Sequence, residues 1–295
     1  MVSVTTKWSR GGPAKVAGEP IVIGEQFGFT EGPVWRADRS HWVFSDIFGS
    51  TLWVWAPGGE PAPHRTPSNK ANGNALDGEG RLISCEHATS RVVRERDGDT
   101  EVIASSFEGR RLNSPNDVIV ASSGVIMFTD PTYGLTPDFG VERPQELDFQ
   151  GVFVLTGSAL ELLDGDYSAP NGLCLSPDER TLYVNDSARG IIYRYAITAD
   201  GFGTREQFAT PPDTETAVLD GMKCDQHGNV WVTGAGGLWV YAPDGTELGT
   251  LEFDGPDIAN FAFGGADGDT LMLTARHTVV VVPLTDRLAL TGALG

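Results

Sequence analysis

Pro170-Asn171-Gly172-Leu173-Cys174-Leu175-Ser176-Pro177-Asp178-Glu179-Arg180-Thr181-Leu182-Tyr183-Val184-Asn185-Asp186 reads as one hairpin. A polar residue opens a short apolar strand, Ser176 to Arg180 supply turn chemistry, and a second apolar strand ends on a carboxylate. The same pattern recurs with turn-and-strand segments at Ala37 to Asp46, Asp77 to Glu86, Ser122 to Asp130, Ser176 to Asp186, Asp225 to Gly234 and Ala266 to Ala275. The second strands begin near His41, Arg81, Val125, Thr181, Asn229 and Thr270, so the repeats are 40, 44, 56, 48 and 41 residues apart. Paired strands at that period are the signature of a β-propeller. The chain has 295 residues, and six repeats of about 49 use all of it. The expectation is an all-β, six-bladed propeller with four-stranded blades, one domain over residues 1–295. No long stretch carries the three- and four-residue apolar spacing of a helix.

Composition narrows the function. Asp and Glu number 40 against 21 Lys and Arg, a net charge of −19. So acidic a surface repels phosphate backbones and anionic lipid, which argues against nucleic-acid and membrane partners and favours cations. The longest apolar run is Val279-Val280-Val281-Val282, far too short to span a bilayer. Cys85, Cys174 and Cys224 form no CxxC pair, so neither a disulfide framework nor a structural zinc site is expected. The first twenty residues lack a basic start followed by an apolar stretch. A cytoplasmic protein, monomeric or a small homo-oligomer, is the expectation.

Aligned on their turns, the repeats open on Glu31, Asn72, Asn116, Asn171, Asp220 and Asn260. The first strand of a propeller blade lines the central channel, so these positions fall on one ring. Two carboxylates and four carboxamides then meet at one mouth, with no Cys or His among them. That donor set suits a hard divalent cation, calcium first and magnesium or manganese next. Turn capping accounts for any one of the six alone; their recurrence at one repeat position favours a common role. The second strands run back to the same mouth and end on Asp46, Glu86-His87, Asp130 and Asp186. His87 and Asp130 are therefore candidates for substrate contact or proton handling, with turn capping as the other reading. The third repeat carries about twenty residues between Asp130 and Val152, either a lid or a surface excursion. There is no nucleophile elbow, zinc helix or phosphate loop. Gly234-Ala235-Gly236-Gly237 reads as a blade turn.

The segments around the ring also carry a family resemblance. Glu31-Gly32-Pro33-Val34-Trp35, Phe44-Ser45-Asp46, Leu112-Asn113-Ser114-Pro115-Asn116-Asp117-Val118, Phe128-Thr129-Asp130-Pro131-Thr132-Tyr133-Gly134-Leu135, Pro170-Asn171-Gly172-Leu173 and Asp220-Gly221-Met222 extend over most of the chain. They resemble the gluconolactonase family that includes regucalcin (senescence marker protein) and the luciferin-regenerating enzyme, with diisopropyl fluorophosphatase more distant. The resemblance implies a six-bladed propeller with one catalytic divalent ion on its axis. It implies Glu31, Asn116, Asn171 and Asp220 as ligands and sugar lactones as small-molecule substrates. Zinc and iron join calcium, magnesium and manganese as ions such a site accepts. One departure is Ser114, where regucalcin-like members carry an Arg that binds sugar hydroxyls.

The chemistry expected is metal-assisted lactone hydrolysis, with Asp220 as general base and Asn72, Asn113, Asp130, Asn260, His87 and Tyr133 contacting or positioning the substrate. Two other readings stay open: a phosphotriesterase at the same site, and a calcium-binding propeller without catalysis.

Overall fold

The hairpin of residues 170–186 forms as read. Pro170–Leu175 pairs with Thr181–Asp186, and Ile191–Thr198 and Glu206–Ala209 complete an antiparallel sheet. The structure, a computed structural model, describes residues 2–96, 98–212 and 218–290. Five more sheets repeat the plan, and we number the six as blades I to VI in chain order. Blade I comprises Thr30–Arg36, His41–Asp46, Thr51–Trp55 and Ala62–Arg65; blade II comprises Ala71–Leu76, Leu82–Glu86, Arg91–Arg96 and Asp99–Ala104. Blade III comprises Val118–Val120, Ile126–Asp130, Gln150–Thr156 and Ala159–Tyr167, and the hairpin above opens blade IV. Blade V comprises Met222–Cys224, Val230–Gly234, Gly237–Tyr241 and Glu247–Asp254, and blade VI begins with Asn260–Gly264, Thr270–Ala275 and Thr278–Pro283. The innermost strands touch in cyclic order, the last against the first, which makes the ring a propeller.

The sequence repeat leaves the residues before Glu31 without a place. The structure uses them to close the ring. Ile21–Gly24 pairs antiparallel with Thr278–Pro283 as the outermost strand of blade VI. Ser3–Trp8 adds a fifth strand to blade V along Glu247–Asp254.

The core is divided into six apolar layers, one between each pair of neighbouring blades. Strand alternation builds them. Val230 and Val232 point toward blade IV, while Trp231 between them packs against Phe261, Leu271 and Leu273 of blade VI. A strand buried on both faces needs apolar residues at successive positions, which is why runs such as Val230-Trp231-Val232 do not alternate with polar residues. The three cysteines are free and buried in these layers. Gly234 to Gly237 forms the tight hairpin turn expected of it.

At the axis the innermost strands are forced together, and the sequence answers with glycine. Pairing slips between Glu31 and Val34, between Ala71 and Asn74, and between Pro170 and Leu173, leaving a β-bulge at the ring residue. A Cβ on Gly73 would lie 2.6 Å from the Asn116 carbonyl oxygen, and one on Gly172 would lie 2.2 Å from that of Asp220. Instead, the two amides donate to those same oxygens, at 2.8 Å and 3.1 Å. The bulges at Asn72 and Asn171 thus hook onto the next blade, whereas at Glu31 the Gly32 amide holds the ring carboxylate itself. Gly172→Ala should therefore lower unfolding free energy by roughly 1–3 kcal/mol in urea titrations, the usual cost of overpacking.

Candidate active site

The six ring residues stand at equivalent places at one end of the channel, and their neighbours fix them. Glu31 Oε2 accepts the Gly32 amide at 2.7 Å and Asn260 Nδ2 at 2.9 Å. The backbone of Asp220 is held on both sides: its amide donates to Thr233 Oγ1 at 2.8 Å, and its carbonyl accepts Asn185 Nδ2 at 2.7 Å. Asn171 Nδ2 donates to Ser187 Oγ at 3.1 Å. Asn72 Nδ2 donates to His87 Nε2 at 3.1 Å. The carboxamide of Asn116 makes no hydrogen bond to any described residue, although it is buried.

Electrostatics single out this mouth. Burial and the Asp117 charge push the Glu31 pKa up to about 7. Asp220 is raised well above the usual carboxylate range by burial and by the charges of Glu31 and Asp117. Asp117 and Lys223 lie outside the sequence reading of the ring. Lys223 Nζ sits 3.6 Å from Asp117 Oδ2, an atom with no hydrogen-bond partner, and donates to Asn260 Oδ1 at 3.3 Å. Three carboxylates and one ammonium leave two negative charges, the complement of one divalent ion. Among the described residues no three His, Cys, Asp or Glu side chains form a metal site of their own, so an ion here takes carboxamide oxygens too. Glu31 Oε1 and the Asn116 carboxamide take no hydrogen bond from any described residue, while Asn171 is in hydrogen-bond contact with Asp220 and Tyr133; this donor set fits a hard cation.

The long excursion of the third repeat is a strap across the mouth. It carries a 3-10 turn at Tyr133–Leu135. The Tyr133 hydroxyl lies beside Ser187 and Asn171, and burial together with the Asp220 charge raises its pKa. Phe139 packs edge-on against Phe29 at 5.1 Å and Phe48 at 5.2 Å on the far side, from blade I. The Phe139 carbonyl accepts His87 Nδ1 at 3.2 Å. A cleft of about 180 Å³ opens beside Asp220, lined by Phe29, Val218, Ile258 and the Asp257–Arg276 ion pair.

The second-strand ends divide into two kinds. Asp46 Oδ1 accepts the amides of Gly28 and Phe29, and Asp186 accepts those of Ser168 and Ala169. Asp130 Oδ2 likewise accepts the Asn113 amide at 2.8 Å. Each carboxylate caps the loop that enters its own blade, so Asp130 belongs to a repeated structural device and is drawn away from the channel. Asn113 follows it: its Nδ2 donates to the carbonyls of Asp130 and Phe149, both at 3.0 Å. Both ring nitrogens of His87 are spent on Asn72 and Phe139, and burial drives its pKa down to about 4, so it is neutral at pH 7. Asn260 is also engaged, its Nδ2 on Glu31 and its Oδ1 accepting Lys223 Nζ and the Phe261 amide, whereas Asn72 is bonded through its nitrogen alone.

The family described as SMP-30/Gluconolactonase/LRE-like region matches residues 29–277, which takes in every ring residue. The chain belongs to this family. A gluconolactonase from Zymomonas mobilis is 32% identical over 287 residues, 88% of this chain and 80% of its own length. A pentonolactonase from Haloferax volcanii is 30% identical over 254 residues, 83% of this chain and 80% of its own. A solved Xanthomonas campestris gluconolactonase superposes with a TM-score of 0.86 at 32% identity, covering 95% of this chain and 94% of that one.

Against the family's regucalcin-like members, Ser114 now has a physical role. Its Oγ donates to the Pro131 carbonyl at 2.6 Å and accepts the Gly134 amide at 2.9 Å. It is buried beneath the strap, where a side chain as long as Arg has no room.

The neutral His87 gives a pH test. A buried His with a lowered pKa binds its proton less well folded than unfolded. Its contribution is complete above about pH 6.5 and is lost as pH falls toward about 4. His87→Gln should narrow the gap in Tm from wild type across that window, measured by thermal unfolding at stepped pH.

Proposed function

We propose that this chain hydrolyses a sugar lactone to the open hydroxy acid, with a divalent cation held by Glu31, Asn116, Asn171 and Asp220. The observation that carries the proposal is the ring itself: the open, buried carboxamide of Asn116 and the Asn171 side chain stand beside Glu31 and Asp220, two buried carboxyls whose pKa values are raised by burial and by neighbouring carboxylate charge. Family membership, with gluconolactonase and pentonolactonase relatives at about 30% identity, makes the chain a lactonase. Calcium is the ion the donors favour.

When bound, the ion supplies Lewis-acid polarisation of the lactone carbonyl and positive charge for the developing oxyanion. Asp220 is the general base. Burial, then the charges of Glu31 and Asp117, raise its proton affinity in the metal-free ring; a bound cation would lower it and acidify the water in turn. Asp220 takes a proton from the water that attacks the carbonyl carbon. The proton passes to the ring oxygen as the C–O bond breaks, leaving a hydroxy acid.

Glu31 cannot share this task equally, because Gly32 and Asn260 already hold one of its oxygens. His87 acts through Asn72, fixing that carboxamide so that its oxygen faces the channel. The Tyr133 hydroxyl and Asn260 hydrogen-bond sugar hydroxyls from opposite sides. The cleft beside Asp220 gives the exocyclic part of the sugar a wall of Phe29, Val218 and Ile258.

Asp220→Asn should keep the wild-type Tm within a few degrees and lower kcat on an aldonolactone panel by about a thousandfold or more, the scale of a lost general base and ligand together. A pH-stat reads the acid released, with and without chelator, and paraoxon serves as the phosphotriester comparison. Chelator-insensitive lactone turnover, near-normal activity of Asp220→Asn, or turnover of paraoxon alone would overturn the reading.

A further inference from the structure

The repeat that builds the ring is broken by two charged residues, and the two meet. The residue after the ring position is Gly in four blades, at Gly32, Gly73, Gly172 and Gly221, and apolar Phe261 in blade VI; in blade III it is Asp117. Three residues after the ring position stand Val34, Ala75, Ile119, Cys174 and Phe263, all apolar; in blade V it is Lys223. Asp117 leans over Gly73 of the neighbouring blade, where any Cβ would strike its Oδ1 at 2.5 Å. From there its other oxygen lies 3.6 Å from Lys223 Nζ.

Ordinary packing does not call for this pair. Desolvating a carboxylate and an ammonium costs about as much as their attraction returns, so a buried ion pair is a poor source of stability. The position of the ammonium is more informative. Besides Asp117 it touches Asn260 Oδ1 at 3.3 Å and the Met222 carbonyl at 3.2 Å, and Asn260 in turn donates to Glu31 at 2.9 Å. A fixed positive charge therefore sits one hydrogen-bonded residue away from a ligand carboxylate.

We propose that Lys223 is a built-in cation of the ring, holding the ligand carboxylates together when no divalent ion is bound and weakening the binding of that ion by like-charge repulsion. The inference rests on the metal site proposed above. Lys223 is a positioning residue and touches neither the ion nor the substrate. Its two effects have opposite signs. Without Lys223 the metal-free ring has less positive charge to hold it, and the ion meets a more negative site.

Lys223→Gln keeps hydrogen bonding to Asn260 and removes the charge, whereas Lys223→Arg keeps the charge. Calcium binding is measured by calorimetry at one pH for all three proteins, and Tm is measured on chelator-treated protein. The expected result is calcium bound about tenfold tighter or more by Lys223→Gln, together with a lower metal-free Tm and a larger calcium-induced rise in Tm. Lys223→Arg should match wild type in both. A purely structural lysine would lower Tm without tightening calcium binding, and unchanged or weaker affinity in Lys223→Gln overturns the proposal. Recovery of Lys223→Gln as folded protein only with calcium is the limiting form of the expected result. If that variant folds under neither condition, Lys223→Arg decides: wild-type affinity upholds the proposal, and a tenfold change with the charge retained overturns it. Wild-type protein that binds no calcium would instead refute the metal site itself.

Discussion

Everything at the mouth follows from how closely the innermost strands approach the axis. Six sheets packed face to face leave no room for side chains where neighbouring first strands cross. The backbone hydrogen bonds that form there, from Gly73 to Asn116 and from Gly172 to Asp220, need glycine on one side. The slip in register that accompanies them puts one extra residue into the strand. That residue has nowhere to go but the channel. In blades I, II and IV the placing of the ring side chain is thus a by-product of ring closure; blade VI presents Asn260 from an unbroken strand.

This is why the ring was legible in the sequence. A position repeated six times leaves a repeated trace, and Glu31, Asn72, Asn116, Asn171, Asp220 and Asn260 stand out by position before any contact is known. The second strands were equally legible: His41, Thr181 and Thr270 begin them as read, and the other three start one residue later. What the repeat does not carry is anything the chain does once. The N-terminal strands have no counterpart elsewhere, and their partners lie more than 200 residues away. Asp117 and Lys223 are visible only as departures from the pattern, so a search for the pattern passes over them.

The outer circle shows the limit from the other side. Asp46, Asp130 and Asp186 also recur in register, but their recurrence reflects a capping need in each blade. Periodicity alone cannot separate a position that every blade needs for folding from one that the assembled ring needs for chemistry. Hydrogen-bond accounting can: a cap has its oxygens filled by backbone amides, whereas a ligand keeps them open. By that measure Asn116, whose carboxamide is open, stands opposite Asp186, whose two oxygens accept the amides of Ser168 and Ala169; Asp130 lies between, with Oδ2 on the Asn113 amide and Oδ1 unpartnered. The strap adds a feature found in one blade only. Through Tyr133 and Phe139 it links blades III, IV and I above the ring and narrows the approach to the cleft beside Asp220.

Closure of blade VI by Ile21–Gly24 has a consequence for how the molecule is made. During synthesis this segment is made before all six blades, yet the hairpin it completes belongs to the sixth. Ile21 and Val22, which stay exposed even in the finished ring, must wait unpaired while five blades assemble. The cooperative lock between this strand and blade VI can therefore snap shut only after Thr278–Pro283 has left the ribosome. Until then the nascent protein is an open arc with two unsatisfied edges.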